Sequence, residues 1–416
     1  MSGENPNRIL VIGGGFSGLT AGIEAAETGA EVIVVEKNPY LGGRVAQLNK
    51  YFPKICPPMC GLEINFRRIK VNPLVTFYTM SEVDSISGVP GDYTVKIKIN
   101  PRYVNENCTA CNACSEVCPV ERNCDFNFGL NKSKAIYLPF EQAFPLKYVI
   151  DRKSCPKDCP APCLNACKYN AIDFNMQPET VEVKVTSIVV ATGWKPYDAS
   201  KIDNLNFGKV KNVITNMMFE RIAAKNGPTN GQILRPSDGK SVENVAFVQC
   251  AGSRDENHLP FCSYICCLAS LKHTLYLKEQ NPDAEVNIFY IDIRTPGKYE
   301  KFYNQVKELS GVNFIKGKVA GIEQDSDSDD VIVIAEDILN GEKIRQKVDM
   351  VVLATGMQPE SFDFKVPGVK YAVDGFVVDA EGIYSAGCAK APMDVAGCCK
   401  DSTSAALKAI QTGVRR

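Results

Sequence analysis

Eighteen cysteines in 416 residues are too many to be incidental core thiols, and their spacing indicates what they could do. Cys108, Cys111, Cys114 and Cys118, followed by Pro119, form C-x2-C-x2-C-x3-C-P. This is the bacterial ferredoxin run, in which three thiolates hold one four-iron cluster and the fourth serves its neighbour. Zinc sites usually set their ligands in two separated pairs, which this run does not. Cys155, Cys159, Cys163 and Cys167 follow at intervals of four and lead into Lys-Tyr-Asn-Ala-Ile-Asp-Phe. The two runs predict two four-iron clusters in one small module, with Cys118 and one cysteine of the second run exchanged across a pseudo-twofold. Pro156, Pro160 and Pro162 argue against helix in the second run. A third set, Cys250, Cys262, Cys266 and Cys267, spans Gln-Cys-Ala-Gly-Ser-Arg-Asp to Cys-Ser-Tyr-Ile-Cys-Cys. It reads as a non-standard four-iron site, the alternative being inert thiols at a helix start, so the expected complement is two or three [4Fe-4S] clusters. Six cysteines remain: Cys56, Cys60, Cys124, Cys388, Cys398 and Cys399. Cys56 and Cys60 are either free structural thiols or groups that approach a flavin or a further metal; Cys398 and Cys399 read as structural. His258, near the third set, is a minor ligand candidate, and His273 reads as a packing residue.

A second chemistry lies at the start of the chain. Arg8 to Gly15 reads as a buried strand and Phe16 to Thr28 as a helix, with Gly13, Gly15 and Gly18 giving G-x-G-x-x-G at the turn between them. That spacing supplies the tight turn, the close backbone approach to a pyrophosphate and the helix packing that dinucleotide binding needs. The next strand, Glu31 to Val35, ends at Glu36, placed to bind a ribose. Lys37 to Arg44 adds Gly42, Gly43 and Arg44, like the second glycine pair of two-dinucleotide-binding-domain flavoproteins, which favours FAD over NAD. Two apolar strands, Ile188 to Gly193 and Val351 to Gly356, both end in Ala-Thr-Gly; Ala191, Thr192 and Gly193 are the cofactor-side candidates. Gly382 to Gly387 looks like the last FAD motif, with Cys388 where an Asp that binds the ribityl chain usually stands. A final helix from Asp401 or Ser402 to Gln411 would aim its positive end at the flavin.

The elements that must position these groups define an α/β chain: a two-dinucleotide-binding-domain, thioredoxin-reductase-like flavoprotein with an inserted two-cluster ferredoxin module. FAD-domain segments are expected at 1–100, 179–203 and 340–416, the insert at 101–178, and a second nucleotide-binding-like domain at 204–339. The strand at Asn244 to Gln249 and the helix at Ser263 to Lys278 bracket the third cysteine set, where an NAD(P)H glycine fingerprint would stand and does not. Asp325 to Asp330 reads as a solvated hairpin tip, and no internal repeat is evident. Hydrophobic residues at 45% can bury a core, and a net charge of −1 offers no basic field for nucleic acid. No secretory leader or membrane-spanning run is seen, which predicts a reducing, cytoplasmic setting where clustered cysteines serve metal or redox chemistry. No catalytic triad or separate acid–base site is evident, so no catalytic residue is assigned.

With these pieces placed, the chain resembles the A subunit of heterodisulfide reductase along nearly its whole length. The resemblance is carried by the N-terminal fingerprint, the ferredoxin runs with Gly129 to Asp151 between them, and the Gln-Cys-Ala-Gly-Ser-Arg-Asp to Cys-Cys segment. Its shorter build is most similar to the A subunit of the quinone-interacting membrane-bound oxidoreductase complex of sulfate reducers. The resemblance implies a non-covalent FAD, iron–sulfur clusters, a second related flavoprotein subunit, one haem-bearing membrane subunit that handles menaquinone, and adenylylsulfate reductase as redox partner. It also implies a peripheral location on the inner face of the membrane. One departure stands out: Ala391-Pro392-Met393-Asp394 occupies the place of a Gly-Pro-Lys-Asp pattern. That puts flavin-based bifurcation in doubt unless Lys390 substitutes. The rival readings are an NAD(P)H-dependent iron–sulfur flavoprotein reductase, a dithiol enzyme using Cys56 and Cys60, and a zinc-holding scaffold.

Overall fold

The structure, a computed structural model, describes residues 7–414. Its chain divides into two compact units, Met1–Ala46 with Met59–Trp194 and Pro359–Arg416, and Gln47–Pro58 with Lys195–Gln358.

In the first unit, five parallel strands lie in the order Ile383–Ser385, Ser187–Val190, Arg8–Ile12, Glu31–Glu36, Val75–Thr79. The central strands are almost continuously apolar, as a parallel sheet covered on both faces requires. Register pairs Arg8 with Glu31 and Ile12 with Val35, so Gly13 and Glu36 emerge together at the carboxyl edge. On one face, Ala21, Ala25 and Ala26 of the helix Phe16–Glu27 share a core with Ala405, Ala406 and Ala409 of the helix Val395–Val414. On the other face an antiparallel meander, Ser81–Val89, Asp92–Ile99 and Glu179–Val185, buries Val83, Val95 and Ile97 against Leu10, Ile12 and Ile33.

The insert leaves this meander after Ile99 and rejoins it at Glu179. It contains two short ribbons, Glu121–Asn123 with Lys132–Lys134 and Ile136–Tyr137 with Val149–Ile150, and two single-turn helices, Ala113–Glu116 and Pro162–Ala166. The second helix corrects the non-helical reading of the proline-rich run: Pro162 occupies a first-turn position, where its missing N–H is not needed. Phe126 and Phe140 stack at 4.8 Å and pack with Tyr40, Leu41 and Phe66, fastening the insert to the flavin fold. Arg102 strengthens this join, donating to Thr79 Oγ1 at 3.0 Å and to the carbonyls of Pro39, Lys147 and Tyr148. Burial pulls its pKa down to about 10, which leaves it charged.

The second unit repeats the same plan. Its parallel sheet runs Val213–Thr215, Met350–Thr355, Asn244–Ala251, Glu285–Tyr290, Val312–Lys316, and its meander is Val319–Gln324, Val331–Asp337, Glu342–Val348. The expected boundaries at 203/204 and 339/340 are therefore corrected to 194/195 and 358/359. Met350–Thr355, placed by its Ala-Thr-Gly end in the flavin domain, instead pairs in parallel with Val213–Thr215 and Asn244–Ala251. Residues 47–58 also belong to this unit: Asn49 N–H donates to Glu220 at 2.8 Å and Lys272 Nζ to the Lys50 carbonyl at 2.7 Å. The Asp325–Asp330 tip closes as expected through the Asp325 N–H to the Asp330 carbonyl, 2.9 Å. No helix among the described residues is long and apolar enough to cross a membrane.

Candidate functional site

The glycine turn is built for close approach. Gly13 has φ +109°, and a Cβ there would lie 2.3 Å from the Ala191 carbonyl oxygen; one on Gly18 would lie 1.9 Å from that of Gly13. Gly42 N–H donates to the Gly14 carbonyl at 2.8 Å, and Gly15 and Gly42 form a parallel bridge that brings Gly43 and Arg44 to the turn. Segments 13–18, 42–44 and 191–193 thus meet at one strand edge. The helix Phe16–Glu27 has no side-chain cap and no acidic residue in its first turn, leaving its amides to an anion. Glu36 is buried; Oε2 accepts from Gly14 N–H at 2.7 Å and Oε1 from the Asn38 N–H and side-chain amide at 2.8 and 2.7 Å. Burial raises its pKa against the lowering effect of these bonds. Thr192 Oγ1 is buried with no partner among the described residues. A half-buried glycine turn at an uncapped helix start, a buried carboxylate and an orphaned hydroxyl are donors and acceptors that a dinucleotide would meet, so the residues fit FAD.

Several partners were invisible in the sequence. Lys37 forms an ion pair with Glu360, Arg44 lies 4.0 Å from the same carboxylate, and Arg44 Nε donates to the Trp194 carbonyl at 3.1 Å. The Glu360 N–H in turn donates to the Gly193 carbonyl at 3.1 Å. At the last motif, Gly387 N–H donates to Asp401 Oδ2 at 2.8 Å and Lys390 Nζ to Asp401 Oδ1 at 2.8 Å. The Cys388 thiol is engaged by Cys398 and the Met393 carbonyl instead. The carboxylate beside Gly387 is therefore Asp401, not the residue at 388. The final helix begins at Val395, and Asp394 caps it by accepting from Gly397 N–H at 2.6 Å; Asp401 and Ser402, expected as its cap, lie inside it.

In the insert, Cys114 and Cys163 occupy matching places, each buried in a one-turn helix that follows a left-handed residue, Asn112 and Ala161. Burial pushes the Cys114 thiol up to about 12, reinforced by Cys108, Cys167 and Cys111. Cys163 is raised by burial and by Cys118 and Cys155, and Cys155 in turn by burial, Cys118 and Cys159. The thiols thus fall into Cys108, Cys111, Cys114, Cys167 and Cys118, Cys155, Cys159, Cys163. The second group lines a small pocket walled by Ile136, Ile150 and Phe174. No three His, Cys, Asp or Glu side chains among the described residues converge as one metal ion requires. Four thiolates in each group are the donor set that a four-iron cluster takes.

The third set stands in the second unit. The strand runs on to Ala251, so Cys250 lies within it, at φ +57° and at a register break against Met350–Thr355. The helix starts at Cys266, not Ser263, because Ser263 Oγ is held by Ser253 Oγ at 2.7 Å and the Met357 N–H at 2.8 Å. Cys266 is raised well above the usual range by burial and then by Cys250, Cys267 and Cys262; Cys267 is pushed up to about 11, mainly by burial. Arg254 stands beside Cys250 and Arg294 beside Cys262, both also paired with Asp292. His258 is bonded to the Tyr197 hydroxyl at 2.8 Å, and His273 is buried against Glu220. Cys56 and Cys60 are exposed and belong to different units.

A family of FAD dependent oxidoreductases matches residues 8–53. The fold is shared with thioredoxin reductases of T. acidophilum and Lactococcus lactis: TM-score 0.53 for each, 14% and 12% identity, covering 98% and 99% of this chain and 98% and 100% of theirs. Fold and cradle together define an FAD-dependent oxidoreductase. The chain is 40% identical over 420 residues to the second iron–sulfur A subunit of the CoB–CoM heterodisulfide reductase of Methanopyrus kandleri, covering 97% of this chain and 64% of that one. It is 40% identical to the corresponding A subunit of Methanocaldococcus jannaschii (93% and 61%). It is 37% identical to the A subunit of the ferredoxin/F420H2-dependent CoB–CoM heterodisulfide reductase of Methanosarcina acetivorans (97% and 53%). The chain thus spans less than two thirds of the length of these relatives, and over that span it belongs to the family of heterodisulfide reductase A subunits.

Proposed function

We propose that this chain is the FAD and iron–sulfur electron-transfer subunit of a heterodisulfide-reductase-like complex. The reading is supported by the presence, in one packed unit, of a tight glycine turn beside a buried carboxylate and of two groups of four neighbouring thiols. Bound FAD would exchange electrons in pairs and clusters singly, which makes such a unit a converter between the two. Gly13, Gly15, Gly18 and the first turn of Phe16–Glu27 would hold the pyrophosphate, Glu36 a ribose, and Thr192 a further polar group of the cofactor. Cys108, Cys111, Cys114 and Cys167 would hold one cluster, Cys118, Cys155, Cys159 and Cys163 a second, and the Cys250 set a third.

Electrons would enter and leave through partners: a second related flavoprotein subunit, one haem-containing membrane subunit handling menaquinone, and adenylylsulfate reductase. This chain would then be peripheral on the cytoplasmic face of the membrane. A self-contained NAD(P)H reductase is the rival. Anaerobic addition of NADH or NADPH to the purified protein tests between them: an unchanged visible spectrum is expected, with bleaching only by a low-potential chemical reductant. Rapid bleaching by either nucleotide would favour the rival.

A further inference from the structure

Unit one carries a thiol pair that neither cysteine set uses. Cys388 Sγ and Cys398 Sγ lie 3.6 Å apart, with only 6% and 7% of their surface exposed. Cys388 follows Gly387 in the short turn Gly387–Ala389, and Cys398 is the fourth residue of Val395–Val414. Cys398 and Gly387 press on the glycine turn: a Cβ on Gly387 would stand 2.0 Å from Ser17 Oγ and 3.4 Å from Cys398 Sγ, and Ser17 bonds to Cys398. Ser17 lies between Gly15 and Gly18, so the pair is packed against the segment that would hold the flavin nucleotide. A disulfide has its sulfurs about 2.05 Å apart, so closure asks for roughly 1.5 Å of sulfur movement.

The two sulfurs are not equivalent. Cys398 is lowered by hydrogen bonds from Cys388 and Ser17 against its burial, while Cys388 is raised by that same bond and by burial. One member is poised as the attacking thiolate and the other keeps its proton.

We propose that Cys388 and Cys398 are a redox-active dithiol that closes to a buried disulfide beside the cradle, passing its electron pair to a two-electron acceptor of the flavin class. Both S–H bonds break and one S–S bond forms; the two electrons go to the oxidised flavin, and the two protons are shared between flavin and solvent. The choice of acceptor rests on the FAD reading above. Burial of both sulfurs argues against a protein disulfide as acceptor, since exchange needs an outside sulfur to reach the thiolate.

The test is peptide mapping of the anaerobic holoprotein, alkylated with N-ethylmaleimide under denaturation, with flavin content measured on the same sample. Trypsin cuts after Lys390 and Lys400, so Cys388 falls in Tyr371–Lys390 and Cys398 in Ala391–Lys400. With the flavin oxidised the two peptides should be joined while Cys399 is alkylated; after excess reduced dithiothreitol they should separate. Cys399→Ser should keep the link. Cys398→Ser and Cys398→Ala should abolish it and take up about two fewer electrons per chain in a reductive titration, as a two-electron couple requires. Flavin-loaded protein with both thiols singly alkylated overturns the pair. A link formed only by added oxidised dithiothreitol overturns flavin as acceptor. A link in protein that cannot bind FAD would sink the cofactor reading and the acceptor with it, leaving a structural disulfide.

Discussion

A methyl group at position 18 would meet the Gly13 carbonyl oxygen at 1.9 Å, so Gly18→Ala must push the fingerprint turn apart. A displacement costing only about 1.4 kcal/mol of binding energy already weakens affinity tenfold. The flavin-to-protein ratio of the purified variant should therefore collapse, whereas Gly61→Ala, where a Cβ meets nothing within 4 Å, should retain full flavin. Equal flavin content in both would remove the turn from the cradle. A second prediction concerns the buried charges of the other unit, where Glu220 Oε1 lies 2.5 Å from both Lys272 Nζ and His273 Nε2. Lys272→Met strands the carboxylate and should cost about 3–5 kcal/mol in denaturant unfolding. Burial pushes Glu220 up, but Lys272 and His273 outweigh it and hold it at about 2; burial holds His273 below its usual value despite Glu220. Both folded values are depressed, so this stability is present above the ordinary values and lost as pH falls, first below about 6.5 through His273, then below about 4.5 through Glu220. His273→Gln should flatten the fall in melting temperature between pH 7 and 5; an unchanged slope would show that His273 does not carry it. The glycine spacing and cysteine runs were legible because ligand and phosphate geometry is local. Glu360, Asp401 and the Cys398 contact were not, because Lys37 and Glu360 are 323 positions apart and only the sheet brings them together.

Among the elements, the two one-turn helices of the insert make the sharpest prediction. Cys114 lies in one helix with Cys118 just beyond it, and Cys163 lies in the other with Cys167 just beyond it, so in the proposed grouping each helix serves both sets. Cys167→Ser should therefore remove the same paramagnetic species as Cys108→Ser, and Cys118→Ser the same as Cys159→Ser. Loss pairing by sequence run, Cys118 with Cys108, would rule out the exchange. The C-x3-C-P spacing is what raises the exchange as an expectation, but the helical turn at Pro162 was not legible, since proline is compatible with a first turn and nothing in the neighbouring residues marks where a turn begins. The final helix shows the same limit: Asp401 and Ser402 are good N-cap residue types, which placed its expected start there, while Gly397 and the two adjacent cysteines before them are poor helix formers. Packing of Ala405, Ala406 and Ala409 on Phe16–Glu27, with the Asp394 cap, overrides that propensity.

For the molecule as a whole, the two units share one plan of five parallel strands and a three-stranded meander, although no repeat is visible in the residues. The plan is held by backbone pairing and apolar strand runs, which many sequences satisfy, so the duplication shows only in topology. What distinguishes the units is chemistry at the same strand edge: a glycine turn in one and Cys250, with Cys266 and Cys267 at a helix start, in the other. Coupling of a flavin to iron–sulfur clusters within one chain is the property on which the rest depends. Anaerobic analysis of iron, acid-labile sulfide, zinc and flavin in the purified protein puts it to the test. About twelve irons with matching sulfide, one FAD and no zinc are predicted from three four-iron sites. About eight irons would reduce the Cys250 set to structural thiols, and a colourless, zinc-bearing protein would overturn the coupling altogether.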